Sequence, residues 1–262
     1  MSGADKLGEE IGRHAWWWGD WKPQPPVGVG LLINVDTVYM TVVVVLILLA
    51  LALLARRNLS LERPTGVQNI LELIMEFING FVTDSLGVER GPRVAPLAIT
   101  LFMFILVANY IGLLPIPAQE IARAKGLSPI PLEWHSPTSD INTTAALALL
   151  VIVYIQFAAI RAQHGVGGWL RHTFISHGVA FAPLAFIEEI ARPITLAFRL
   201  FGNIFAGEVL ILVFGLLLPW WAVPIPHLAA LFLAIFVGAI QAFIFTMLTI
   251  AYVGIATAQA EH

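Results

Sequence analysis

The sequence predicts an all-α integral membrane protein. It has five membrane crossings, one amphipathic surface helix after the first span, and a last pair of long, strongly tilted helices forming a hairpin. Three observations carry this reading. Hydrophobic residues make up 58% of the 262-residue chain and charged residues 12%, about half the charged share of a soluble globular protein. Mean hydropathy is +0.84. Apolar runs long enough to cross a bilayer core recur along the chain. Fourteen basic residues stand against 17 acidic ones, for a net charge of −3, so no basic face for nucleic acid is expected. With no cysteine and seven scattered histidines, disulfides, thiolate sites and the HExxH metal spacing are excluded. No metal or other cofactor is expected.

Residues 1–34 read as an extracytoplasmic tail ahead of a single membrane domain over 35–262. The tail carries charges and no apolar core segment, unlike a signal peptide. Its tryptophans, Trp16, Trp17, Trp18 and Trp21, suit a membrane–water interface or a disordered tail. The first span runs over about 37–55, between Asp36 and the pair Arg56 and Arg57. Over about 64–87, Val67, Ile70, Leu71, Ile74, Phe77, Ile78 and Phe81 recur at helical spacing, interleaved with Glu72, Glu76 and Asp84. That is an amphipathic helix lying on the membrane or packed on other helices, and Pro64 suits its start.

Spans follow at about 94–114 and 141–160, separated by a proline-rich loop. The remaining segments, about 182–218 and 227–258, are too long for a perpendicular crossing: at 1.5 Å per residue the first is roughly 55 Å, against roughly 30 Å of hydrocarbon. No turn cluster interrupts Ile194–Phe201, so each is read as one tilted helix, joined at Pro219–Pro226. With the N-terminus outside, Arg56, Arg57, Arg63, Arg90, Arg93, Arg161 and Arg171 face the cytoplasm. The positive-inside rule thus favours N-out, C-in.

Glu188, Glu189, Arg192, Arg199 and Glu208 all fall in the first long segment. An intramembrane charge costs about 2.5–3.5 kcal/mol on insertion scales, so such residues face a cavity or a partner. At 100° per residue, Glu188, Arg192 and Arg199 lie within about 40° on one helix face, and Asn203 continues it. Glu208 points to the other side, about 13 Å along the axis. A guanidinium does not release its proton, so Arg199 is a fixed barrier or a partner for a carboxylate of another chain. Glu208 is a candidate proton relay, because desolvation moves a carboxyl group toward the working pH. Together these residues describe an ion path with a gate. For Glu188 and Glu189 with Arg192, a structural ion pair is the alternative. A secondary transporter with a charged intramembrane site is the competing function; it calls for broken helices and an internal repeat, and neither is present. The spans hold no nucleophile–base pair or paired aspartates, so no catalytic site of its own is expected.

The run Arg192-Pro193-Ile194-Thr195-Leu196-Ala197-Phe198-Arg199-Leu200-Phe201-Gly202-Asn203-Ile204-Phe205-Ala206-Gly207-Glu208 closely resembles the signature of subunit a of F-type ATP synthases, in its bacterial form. Gly238-Ala239-Ile240-Gln241-Ala242-Phe243-Ile244-Phe245 resembles that family's last helix. Arg63-Pro64-Thr65-Gly66-Val67-Gln68-Asn69 and Ser136-Pro137-Thr138-Ser139-Asp140 agree in order. The resemblance implies a multi-pass subunit of the bacterial inner membrane. Its partners would be the ring of c subunits, the peripheral-stalk b subunits and membrane lipid, with the catalytic head reached only through the complex. It implies two offset half-channels that load and unload protons on the ring carboxylates, separated by Arg199. Glu208 would line the outer half-channel, with Asp140 near its mouth. Asn203 and Gln241 would flank the arginine, Gln241 holding its guanidinium, and Glu188 or Glu189 would line the inner exit. One position departs from the pattern. Seven residues before Gln241, where many members carry a histidine or an acid, stands Ala234. The outer relay then leans on Glu208 and water, or on His227 and Asp140.

Overall fold

The computed structural model describes residues 35–57, 66–114, 134–171, 173, 182–219 and 221–258. The tail over 1–34 lies outside them. The described residues form six helices and no strand: α1 (Val35–Arg57), α2 (Val67–Ile111), α3 (Ile141–Ala162), α4 (Val166–Leu170), α5 (Ala182–Leu217) and α6 (Pro224–Thr257). Among them α1, α2, α3 and α6 contain windows long and apolar enough to cross a membrane. Helix α5 is 36 residues long, about 54 Å, and holds the five charged residues noted above.

The amphipathic helix and the second span are two arms of α2. Gly87 joins them with φ 74° and ψ 173°, a left-handed φ that glycine adopts without steric penalty. Residues 88–93, left between elements by the sequence, are helical. Pro92 and Pro96 lie inside the second arm, past its first turn, where each removes one intrahelical N–H donor. The helix stops at Ile111, three residues before the expected end, where the bonding tightens to Leu113 N→Tyr110 O (3.1 Å) and Leu114 N→Ile111 O (3.3 Å). The expected spans at 37–55, 141–160, 182–218 and 227–258 each match a helix to within three residues. Pro224 and Pro226 extend α6 backward, since a first turn has no need of their amide hydrogens. Short α4 was not anticipated; five residues are too few to show periodicity.

The principal core joins α2, α3, α5 and α6 through Ile78, Ile105, Ile155, Leu196, Leu200 and Phe245, all nearly inaccessible. A second cluster seats Met40 and Val44 of α1 against Ala108 and Ile111 of α2. Between apolar helices in lipid, close packing replaces the hydrophobic drive, so small residues stand at the crossings. Gly238 is one of these; a Cβ there would lie 3.3 Å from the Tyr110 ring. The first arm of α2 is tied to α6 by the rings of Phe77, Phe81 and Phe243, with centroids 5.0–5.7 Å apart. The amphipathic helix therefore packs on a neighbouring helix.

Candidate functional site

A cavity of about 810 Å³ opens where the end of α2, the segment at Trp134–Ser136, the second half of α5 and the start of α6 meet. Small residues make the room: Gly112, Ala206, Gly207, Ala230 and Ala234 line it. Asn109, Ser136, Asn203 and His227 give it polar walls. The rest of the lining is apolar, so a chain of waters in it, each needing about 30 Å³, would be held by these four side chains.

One wall is held by a chain of hydrogen bonds. The Ser136 hydroxyl donates to Ala108 O (2.8 Å) and shares a 2.6 Å bond with the Thr138 hydroxyl. Thr138 Oγ1 donates to Asn109 Oδ1 (2.7 Å), and Asn109 Nδ2 donates to Gly238 O of α6 (3.1 Å). Ser136, Thr138 and Asn109 are all buried. The segment can sit this close only because Gly112 has no side chain: a Cβ there would fall 2.7 Å from Ser136 N and Cβ.

Asp140 continues the same segment. Its Oδ1 accepts the Asn142 amide (2.8 Å), capping α3, and its Oδ2 accepts from Thr37 Oγ1 of α1 (3.0 Å). Thr37 Oγ1 also lies 3.4 Å from His135 Nε2. The carboxylate thus joins α1, α3 and the cavity-wall segment, as expected of a buried-side cap.

On α5 the sequence-selected residues divide among three settings. Asn203 lines the cavity. The backbone of Glu208 continues α5 directly after the cavity-lining Gly207; its side chain lies outside the described residues. Arg199, one turn before Asn203, is exposed, and no hydrogen bond or ion pair reaches it among the described residues. Exposed apolar side chains stand on the adjoining faces of the helix, with Ile194 and Phe198 each 49% exposed. Gln241, by contrast, is buried in α6 with Nε2 unpartnered. No hydrogen bond joins Gln241 to Arg199 among the described residues.

Glu188 and Glu189 are engaged elsewhere. Arg192 Nη1 donates to Glu189 Oε2 (3.0 Å) and Nη2 to Glu188 Oε1 (3.2 Å). Gln156 Nε2 of α3 donates to the other Glu189 oxygen. Trp169 Nε1 of α4 donates to Gln156 Oε1 (2.8 Å). The Arg192 guanidinium also stands 5.2 Å from the Tyr252 ring centroid, within cation–π range. Glu189 and Arg192 are mostly covered, while the Glu188 side chain is 63% exposed, so the Glu188 contact contributes little. The structural pairing raised from the sequence is present, extended by Gln156, Trp169 and Tyr252.

The sequence profile of the family described as ATP synthase A chain matches residues 37–254. The chain belongs to that family. It is 37% identical over 236 residues to ATP synthase subunit a of Acidothermus cellulolyticus, covering 89% of this chain and 81% of the relative. To the subunit a of Desulforamulus reducens it is 39% identical over 239 residues, 89% of this chain and 84% of that one. To that of Anoxybacillus flavithermus it is 40% identical over 230 residues, 85% and 92% of the two chains. The matched segment contains the cavity, Arg199 and the Arg192 cluster.

Several site residues escaped the sequence reading. Asn109 and Gln156 stand inside apolar spans, and the rule that flagged the charges on α5 extends to them. Thr37, His135 and Tyr252 carry no such signal, because only packing brings them to Asp140 and Arg192.

Proposed function

We propose that this chain is the stator of the membrane sector of an F-type ATP synthase, passing protons to and from a rotating ring through two offset half-channels gated by Arg199. The observation that carries the reading is the setting of Arg199. An exposed guanidinium that no described residue pairs, on a helix lying in the membrane, is untenable against lipid, so it calls for a carboxylate supplied by another chain. A ring of small subunits, each with one buried carboxylate, supplies such a partner. A ring carboxylate enters lipid only when neutral, because burying it charged is too costly. Beside Arg199 it is favoured ionised, so it releases its proton before passing. A proton crossing 100 mV yields about 2.3 kcal/mol, which drives the rotation.

In this reading α5 is also a crossing, the fourth of five, and forms a tilted hairpin with α6, while residues 35–262 act as one membrane domain of the bacterial inner membrane, N-terminus outside. The cavity is the outer half-channel. Asn203 lines it, Glu208 relays protons along it, and Asp140 stands beside its mouth. Gln241 backs the gate. Glu188 and Glu189, held by Arg192, border the inner exit. The peripheral-stalk b subunits anchor the chain, and the catalytic head is reached only through the complex.

The test is ATP-driven acidification of inverted membrane vesicles, comparing wild type with Arg199→Ala at matched assembly. Pumping should be abolished while the detached head still hydrolyses ATP. Undiminished pumping would refute the gate and favour a transporter.

A further inference from the structure

We infer that His227 is a proton-carrying side chain of the cavity. The inference rests on the stator reading and assigns the relay that Ala234 does not provide. His227 lies in the first turn of α6, its amide donating to Val223 O (3.1 Å). Ala230 or Leu231, then Ala234, then Val237 continue the cavity wall from it at helical spacing. Its Nδ1 is buried and has no hydrogen-bond partner among the described residues. A buried ring nitrogen left without a protein partner is costly, and a water held beside it in the cavity would satisfy it.

Titratable groups are scarce around it. The described lining from α2, from Trp134–Ser136, from α5 and from the rest of α6 consists of amides, a hydroxyl, an indole and apolar or small side chains. His227 is the one titratable side chain among those described lining residues. Glu208 follows Gly207 across the cavity, and Asp140 is occupied by Thr37 and the α3 cap. Imidazole suits the task because it accepts a proton on one ring nitrogen and releases one from the other. The step balances: a hydronium on the mouth side gives H⁺ to one ring nitrogen and is left as water, and the other ring nitrogen of the imidazolium passes H⁺ to a cavity water, which carries it on as hydronium. Ala234, seven residues deeper on the same wall, is about 10.5 Å along the axis from His227, and the waters between would carry the proton onward along that wall.

The experiment measures the initial rate of ATP-driven acidification in inverted vesicles holding the whole complex, normalised to subunit content. Wild type, Arg199→Ala, His227→Leu, His227→Gln and the double variant His227→Leu/Ala234→His are compared. General acid–base groups contribute about 10²–10⁴-fold; with water as a partial bypass, His227→Leu and His227→Gln should each slow pumping by at least about tenfold. The double variant, which restores an imidazole to the same wall, should recover most of the loss. Wild-type rates in His227→Gln, with Arg199→Ala inactive, overturn the relay and leave the gate intact. Loss in both single variants without recovery in the double variant assigns His227 a packing role and also overturns the relay. Pumping by Arg199→Ala overturns the stator reading itself, whatever His227 does. Should His227→Leu fail to assemble, His227→Gln decides, since it keeps a hydrogen-bonding side chain of similar reach but carries no proton.

Discussion

Asn109 joins three parts of the cavity wall, and removing its amide should have a measurable and structured effect. In Asn109→Leu the volume is nearly kept while two hydrogen bonds disappear, the 2.7 Å bond from Thr138 Oγ1 and the 3.1 Å bond to Gly238 O. Side-chain hydrogen bonds between membrane helices average about 0.6 kcal/mol and reach about 1.7. The substitution should therefore destabilise the folded chain by about 1–3 kcal/mol. Thr138→Val removes the first of those bonds and also the 2.6 Å contact with Ser136, for a loss of about 1–2 kcal/mol on the same scale. Because one bond is shared, the double variant should lose less than the sum, by about 0.5–1.5 kcal/mol. Titration of the purified membrane complex with SDS in mixed micelles, followed by the unfolding of this chain, measures all four corners of the cycle. Proton flux should fall in the same variants, since an apolar wall holds water less well. Strict additivity would refute the hydrogen-bonded chain. A wild-type Asn109→Leu would refute its role altogether.

Other outcomes follow from the same geometry. Arg199→Lys should lose coupled pumping despite the conserved charge, because a lysine surrounded by apolar groups releases its proton where a guanidinium does not; full coupling in vesicles would remove the requirement for a non-titrating cation. Glu208→Gln should slow proton flux while leaving the complex assembled, and normal ATP synthesis would remove Glu208 from the path. In Gly112→Ala the new Cβ would meet Ser136 N and Cβ at 2.7 Å, so the wall must shift and stability should fall by about 1–3 kcal/mol. Ser136→Gly should not rescue it, because the clash with the backbone nitrogen remains; rescue in the SDS titration would show that the contact is with the side chain alone.

Much of this protein can be read without its fold. Apolar run lengths locate α1, α3, α5 and α6 to within three residues, because the length of an unbroken apolar run is a local property that does not depend on a helix's neighbours. Helical periodicity picks out the amphipathic arm of α2 for the same local reason. The charges on α5 are conspicuous because their cost in lipid depends on residue type alone. The Arg199–Glu208 run and the Gln241 helix point to the family through residue order, which survives without coordinates.

Tertiary structure decided the rest. Periodicity cannot show that a single non-helical residue, Gly87, parts the two arms of α2, since the left-handed φ belongs to the packed chain. No local signal pairs Thr37 with Asp140 across 103 positions, or brings Asn109 to Gly238. Two acids placed on one helix together turn out differently: Glu189 is enclosed by Arg192, Gln156 and the neighbouring helix, and Glu188 stays largely in the open. Asn203 and Arg199, one turn apart, end on different surfaces, one lining a cavity and the other facing outward. Residue type and local spacing determine what each helix is and which side chains are expensive in a membrane. Only the crossing of helices decides which of those side chains find a partner, which find a cavity, and which are left for another chain to meet.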